Sequence, residues 1–558
     1  MPKMTGAQYL AEALKAYEVT HLFHVPAILR KTMVELEERT LINRVRSHGE
    51  KSAAYMADGY ARATGKPGIC AAQVIGAMNL AAGLRDAFLA RSPIIAFTGG
   101  RLPETKFRQV YQEIDDVPTF DPVTKFNATI DDVSRIPDML NQAFRSATSG
   151  SPGPVHLQFA GNEGQLDQQE ADMTLQVDKN CIKLPPHRPV ADPDSISAAA
   201  EILGNCEKPV MVVGGGAKSS KASKEILLLA EKLNIPVVTS LNGKDVFPST
   251  HSLSAGVVGT YSRESANKTV LESDLVFFIG TQAGGMTTHF WAVPPIGKSA
   301  IQLDIDPEAL GRNYPLKVAL NGDVKATLQK LIDVCDPSSA NKRDSWVKTV
   351  KRIVKEYYGT YSELMNSEDV PMRPERICKE MTDHLPSDAM VVVDTGHSGM
   401  WMGGMYDLRE TTQNYMRSAG HLGWAFPAAL GAKCGVPDRP VICFTGDSGL
   451  WYHIGDIETA VRWNINAVIL VNNNHSGNQS KRGFDRIYGG EQTEKAFELW
   501  GLSKVNFAKI AEDMGALGIR VEKPGELKSA FDQAFSANRP VVLDVVSEIN
   551  ALAPLAHS

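Results

Sequence analysis

The sequence predicts an α/β protein of three Rossmann-like domains built on parallel sheets. Three observations lead there. The 558 residues exceed what one hydrophobic core holds, since cores stop growing near ~250–300 residues. Short β-rich apolar runs alternate with helical patterns along the chain, as in sheets covered by helices. Three of these runs share one form, Pro, apolar run, Gly: SPIIAFTGG (92–100), KPVMVVGGG (208–216) and RPVICFTGD (439–447). Each reads as a buried parallel strand ending in a Gly-rich turn, where α/β sheets place their ligands.

Two stretches read as linkers. LPPHRPVADPDS (184–195) is rich in Pro, which suits neither helix nor central strand, and CDPSSANKRDS (335–345) is polar and turn-forming. Cuts near 190 and 345–370 give domains over 1–185, 190–340 and 365–558. The outer two carry a faint likeness, RSPIIAFTGG against DRPVICFTGD, which two related sheets or mere strand composition would equally produce.

Composition sets the class. Apolar residues at 43% with 22% charged are ordinary for a soluble globular protein. The net charge of −6, without a run of one sign, gives no support to nucleic-acid binding. Seven scattered cysteines with no C-x-x-C pair argue for a reducing compartment and against a disulfide framework, zinc or iron–sulfur site. MPKMTGAQYLAEALKAYEV reads as an amphipathic helix rather than a signal peptide, and no apolar stretch approaches the ~18–20 residues that cross a bilayer. The expectation is a cytoplasmic protein with no membrane partner.

The strongest chemical signal is GDSGLWYHIGDIETAVRWNINAVILVNNNHSG (446–477), read as strand, turn, helix (about 453–463), strand (467–472) and Asn cluster. Asp447 and Asn474 would stand at the C-terminal ends of two strands of one βαβ unit. Oxygen ligands converging there suit a hard cation such as Mg2+, and the small residues after Asp447 open a helix whose free N–H groups can hold phosphate. A GD turn alone is weak; the spacing, strand context and Asn cluster together are not.

This segment resembles the metal motif of the thiamine-diphosphate (ThDP) enzymes, GDG, some two dozen residues, then NN, here with Ser448 in place of the second Gly. The resemblance implies the ThDP-binding fold, with pyrimidine-binding, middle and diphosphate-binding domains in that order. It makes Asp447, Asn474 and the Ser476 carbonyl the Mg2+ ligands, and Gly446, Ser448, Gly449 and Gly477 contacts of the cofactor. RSHGEKSAAYMADGYARATGKPG (46–68) places Glu50 where the family has the acid that hydrogen-bonds the pyrimidine ring and drives proton transfer to the thiazolium. Burial is expected to raise its pKa. This acid argues against the glyoxylate carboligases, which lack it. SAGHLGWAFPAALGAK (418–433) supplies Leu422, the wedge between the two cofactor rings, and Gly420, a backbone acceptor. VVVDTGHSG (391–399) supplies His397 and Ser398 as diphosphate donors. In the first domain Gly76, Ala77 and Asn79 match the family's Gly-Ala-x-Asn turn, and Gln112 faces the reaction centre of a neighbouring subunit's cofactor. His24 sits at the substrate end, where it shapes specificity or fills space. The GGG of the middle domain lacks G-x-G-x-x-G spacing, and an empty domain is favoured over one holding FAD.

The overall pattern is similar to the acetolactate synthase, pyruvate oxidase and benzaldehyde lyase branch. That implies a lyase or transferase, a decarboxylase or carboligase acting on a 2-oxo acid or 2-hydroxy ketone, in a homodimer or homotetramer with ThDP at the subunit interface. Asn478 and Arg482 stand where acetolactate synthase has a Met and a substrate-selecting Trp. A more polar pocket follows, in which Arg482 or Lys481 meets a carboxylate or phosphate. The alternative is a 2-hydroxyacyl-CoA lyase or oxalyl-CoA decarboxylase with an acyl-CoA substrate. A non-catalytic scaffold retaining the fold is the reading from another class; it has no need of Glu50, Asp447 and Asn474 together.

Overall fold

The computed structural model describes residues 3–555. Three six-stranded sheets follow one another along the chain, and every strand pair within them is parallel. The first is built between His21–His24 and Val155–Phe159, the second between Pro209–Val213 and Val318–Asn321, the third between Met390–Val393 and Val541–Val546. With strands numbered in chain order within each sheet, the outer two both run 2-1-3-4-6-5, whereas the middle one runs 3-2-1-4-5-6. The outer sheets are therefore topologically matched. The likeness that hinted at this is not its mark: Ile94–Gly99 is the fourth strand of its sheet and Val441–Gly446 the third of its own. Both are central strands, buried throughout except at Gly446, and burial on two faces selects the same Val/Ile/Phe composition at either place.

The outer domains meet through matched helices. Glu50–Thr64 and Ala425–Gly435 each follow the second strand of their own sheet and lie against each other. Their small residues are there for backbone contact. A Cβ on Gly59 would collide with the Ala428 carbonyl, and one on Gly431 with the Met56 carbonyl. The core thereby runs continuously from Tyr55, Met56 and Leu84 to Trp424, Phe426 and Leu450.

Part of the second expected boundary, 345–370, is a 22-residue helix, Asp344–Met365. Its apolar stripe joins two cores: Trp346 and Val350 pack into the middle domain, Tyr357 and Met365 into the C-terminal one. The polar surface of this helix hides that stripe in the sequence. At the other end, the Gly6–Ala16 helix forms as expected, with Thr5 and Gln8 completing a capping box. Among the described residues no helix is long and apolar enough to cross a membrane.

Candidate functional site

In the C-terminal sheet the third strand ends at Gly446 and gives way to the helix Asp447–Trp451; the fourth, Val468–Asn473, runs beside it with Asn472 opposite Gly446. That register brings Asp447 and Asn474 together. His475, in the left-handed region at φ 58°, turns the chain back so that the Ser476 N–H points at both. It donates to Asp447 Oδ2 and to Asn474 Oδ1, at 3.1 Å in each case, while Asn474 Oδ1 also accepts the Ser476 hydroxyl at 3.0 Å. Asp447 Oδ1 accepts the Ser448 N–H at 2.7 Å. All three residues are buried, and burial pushes the Asp447 carboxyl up to about 6 against the pull of its backbone donors. A carboxylate and an amide oxygen held this close form a donor set that fits a hard cation, whose charge would restore the ionised form of Asp447.

These groups face a cavity of about 750 Å³. Gly446, Ser448, Gly449 and Gly477 line it, as do His397, Ser398 and Leu422. His397 opens the helix His397–Gly404 after Gly396, which sits at φ 67°. Its ring is buried with neither nitrogen hydrogen-bonded, and burial, helped by Arg482, holds its pKa down to about 4. A neutral imidazole with unused nitrogens beside a helix N-terminus is a place for an anionic group such as a diphosphate. The other end of this helix is closed from the middle domain. Lys244 Nζ donates to the Met402 and Gly403 carbonyls at 3.1 Å each, and Arg263 Nε to that of Gly404 at 2.6 Å.

The loop carrying Leu422 is clamped from two domains. Asp394, at the end of the first strand of the C-terminal sheet, accepts the Gly423 N–H at 3.0 Å and the Thr445 hydroxyl at 2.8 Å. From the N-terminal domain, Asp86 accepts the N–H groups of Ala419 (2.9 Å) and His421 (3.2 Å). Gly420, at φ 141°, is exposed and lies outside the cavity lining.

The N-terminal candidates gather elsewhere. Glu50 opens its helix with its carboxyl packed on Gly76 and accepts the Asn79 amide at 3.2 Å. Gln112, at φ 62°, accepts from Gln73 Nε2 at 3.0 Å and lines a separate cavity of about 260 Å³. His24 ends the first strand with Nδ1 buried and unpartnered, and burial lowers its pKa. None of these four lines the larger cavity, whose walls come wholly from residues 395–505. In one chain Glu50 is only half-buried.

Asn478 lines the cavity as expected, while its amide N–H groups donate to the carbonyls of Ile549 and Ala551 at 2.9 Å each. The expectation for Arg482 and Lys481 is corrected: Arg482 lies outside the cavity lining and donates to the Ala553 carbonyl at 2.7 Å. Lys481 lies over the Trp500 ring, 5.6 Å from its centroid, and does not line the cavity. Sequence reasoning also missed residues. Asp394 stands in the VVVDTGHSG run, where a carboxylate ending a buried strand was the available signal. Trp500 enters the cavity wall because its carbonyl accepts the Gly477 N–H at 2.6 Å, a pairing that nothing local encodes.

Family comparison agrees with this layout. The N-terminal, central and C-terminal domains of thiamine pyrophosphate enzymes match residues 4–119, 196–331 and 394–545. The chain is 32% identical to a probable acetolactate synthase large subunit of Methanococcus aeolicus, over 97% of this chain and 92% of that one. It is 28% identical to the acetolactate synthase large subunit of Haemophilus influenzae, over 98% and 95%. A glyoxylate carboligase of Escherichia coli O157:H7 is 30% identical over 98% and 94%. With three family domains matched in the order of its three sheets and relatives aligned from end to end, the protein belongs to the thiamine pyrophosphate enzymes and depends on thiamine diphosphate.

Proposed function

We propose that this enzyme uses ThDP and Mg2+ to cleave or form a C–C bond next to a carbonyl, by 2-oxo acid decarboxylation and carboligation of the acetolactate synthase type. The observation that carries this reading is the convergence of Asp447, Asn474 and Ser476 on one shared N–H at the mouth of a helix. When bound, ThDP supplies a nucleophilic carbon and an electron sink. The chain's own residues do the rest. Asp447, Asn474 and the Ser476 carbonyl hold Mg2+; His397 and Ser398 donate to the diphosphate; Leu422 and Gly420 fix the rings; Glu50 holds and moves a proton at its carboxylate. Gln112 and His24 face the substrate. The middle domain is read as holding no FAD.

The site is proposed to close between subunits of a homodimer or homotetramer. Supporting this, Glu50 and Asn79 stand apart from the cavity, and apolar side chains beside them and Gln112 are exposed: Ile75, Met78, Tyr111 and Phe107. A second copy would cover them. The proposed compartment is the cytoplasm, consistent with seven free cysteines.

Arg482 lies outside the cavity lining and gives an N–H to the Ala553 carbonyl, which supports preferring this reading over the acyl-CoA alternative. Glu50 remains the ground for preferring acetolactate-type chemistry over glyoxylate carboligation. The test is turnover by the purified protein with ThDP and Mg2+ on a panel of 2-oxo acids, 2-hydroxy ketones and acyl-CoA thioesters. Release of CO2 from a 2-oxo acid with a ligated product is expected; cleavage of acyl-CoA alone would overturn the proposal.

A further inference from the structure

Ser52 and Tyr55 stand on the helix that begins at Glu50, and both are buried against imidazoles of the C-terminal domain. The two imidazoles flank the candidate wedge. His421 directly precedes Leu422, and His453 packs on Gly423 directly after it, its Cδ2 3.1 Å from where a Cβ on that glycine would stand. The Tyr55 ring meets both nearly at right angles, its centroid 5.6 Å from that of His421 and 5.5 Å from that of His453.

Hydrogen bonds fix both rings. The Tyr55 hydroxyl is bonded to His421 Nδ1, and Ser52 Oγ to His453 Nδ1 at 2.7 Å. Burial keeps the proton on the Tyr55 hydroxyl and keeps His421 neutral, so Tyr55 donates and Nδ1 accepts. The Ser52 hydroxyl is given to Asp456, so it accepts from His453 Nδ1. Asp456 also accepts the His48 N–H at 3.0 Å, which ties the turn before Glu50 to the same carboxylate.

We propose that Tyr55, acting through His421, is a positioning residue that holds Leu422 in place against the cofactor rings, with Ser52 and His453 bracing the other side. The proposal rests on the reading of Leu422 as the wedge. Asp86 and Asp394 fix the path of the loop through the N–H groups of Ala419, His421 and Gly423 and through the Ser418 hydroxyl. None of those bonds engages the side chain of His421. The two ring contacts remove the freedom that backbone anchors leave, as the support around a working residue must. One helix thus carries the candidate acid and sets the candidate wedge.

The experiment compares Tyr55→Phe, His421→Leu, His421→Asn and the double variant Tyr55→Phe/His421→Leu with wild type, all in the full chain. Amide hydrogen exchange over 418–424 is read without cofactor, and proton exchange at the reactive carbon of ThDP is read with ThDP and Mg2+ bound. Tyr55→Phe and His421→Leu should each speed the first and slow the second by about tenfold, the worth of one neutral hydrogen bond. His421→Asn keeps an acceptor in place of Nδ1 and should stay within about threefold of wild type in both. The double variant should be no worse than the worse single, because both lose the same bond. Wild-type values in His421→Leu would overturn the proposal by showing that the ring only fills space. So would additive losses in the double variant, loosening spread over the whole chain in Tyr55→Phe, or a loosened loop with an unchanged reactive carbon. Leu422→Ala separates the proposal from the reading beneath it. If that variant slows the reactive carbon while Tyr55→Phe does not, only the brace falls. If it leaves the exchange unchanged, Leu422 is no wedge and both fall.

Discussion

Gly59 and Ala428 touch backbone to backbone across the joint between the N- and C-terminal domains, with no room for a side chain on Gly59. Their helices hang from equivalent places in matched sheets. The one begins at Glu50 and the other directly follows the loop of Leu422. Separation of these helices would therefore displace candidate residues of both domains together.

Gly59→Ala should accordingly lower stability by about 1–3 kcal/mol or more, the usual cost of overpacking, even though alanine favours helices. Gly483, inside the Asn478–Ile487 helix with open space around it, is the control: Gly483→Ala should stabilise slightly, by ~0.5–1 kcal/mol. Melting midpoints of the two variants should move in opposite directions.

Asp447→Ala should leave the fold intact and abolish ThDP binding, because the diphosphate loses its cation bridge. Isothermal titration with ThDP and Mg2+ reads this directly; an unchanged affinity would remove Asp447 from the cation site.

Glu50→Gln should keep ThDP affinity within roughly tenfold, since the amide partly replaces one hydrogen bond. Turnover should fall by ~10²–10⁴, the usual worth of an acid–base group. Proton exchange at the reactive carbon of ThDP, followed by NMR, should slow in parallel.

Mixing inactive Glu50→Gln and Asp447→Ala subunits should restore part of the activity. A hybrid dimer regains one site with both residues native if each site draws on two chains. No rescue despite demonstrated subunit exchange, or an active monomer in sedimentation, would count against the shared site.

Asp394 provides a pH test. Burial pushes its carboxyl up to about 7 in the folded protein, against roughly 3.9 in an unfolded chain. Between those values the folded state holds a proton that the unfolded state does not, so this group lowers stability as pH rises from about 4 to 7. Asp394→Asn lacks that dependence, and its melting midpoint relative to wild type should rise with pH across this window.

The sequence by itself determined the three parallel sheets, because strands buried on both faces must be continuous apolar runs and the helices between them must be amphipathic. It also determined that Asp447, Asn474 and Ser476 meet, since they sit in one βαβ unit whose register is local. What lies across domains was decided only by tertiary structure. The Asp344–Met365 helix falls largely within the boundary the sequence places near 345–370, and only the tertiary structure shows two separate cores covering its stripe. Arg482 reads as pocket polarity until the C-terminal segment takes its hydrogen bond outside the cavity. The clamp of Asp86 on the Leu422 loop joins positions 333 and 335 residues apart in the chain. A carboxylate on a helix face carries no mark of the amides it will meet, because hydrogen bonds between distant segments depend on where the packed helices bring them, and that is a property of the assembled domains.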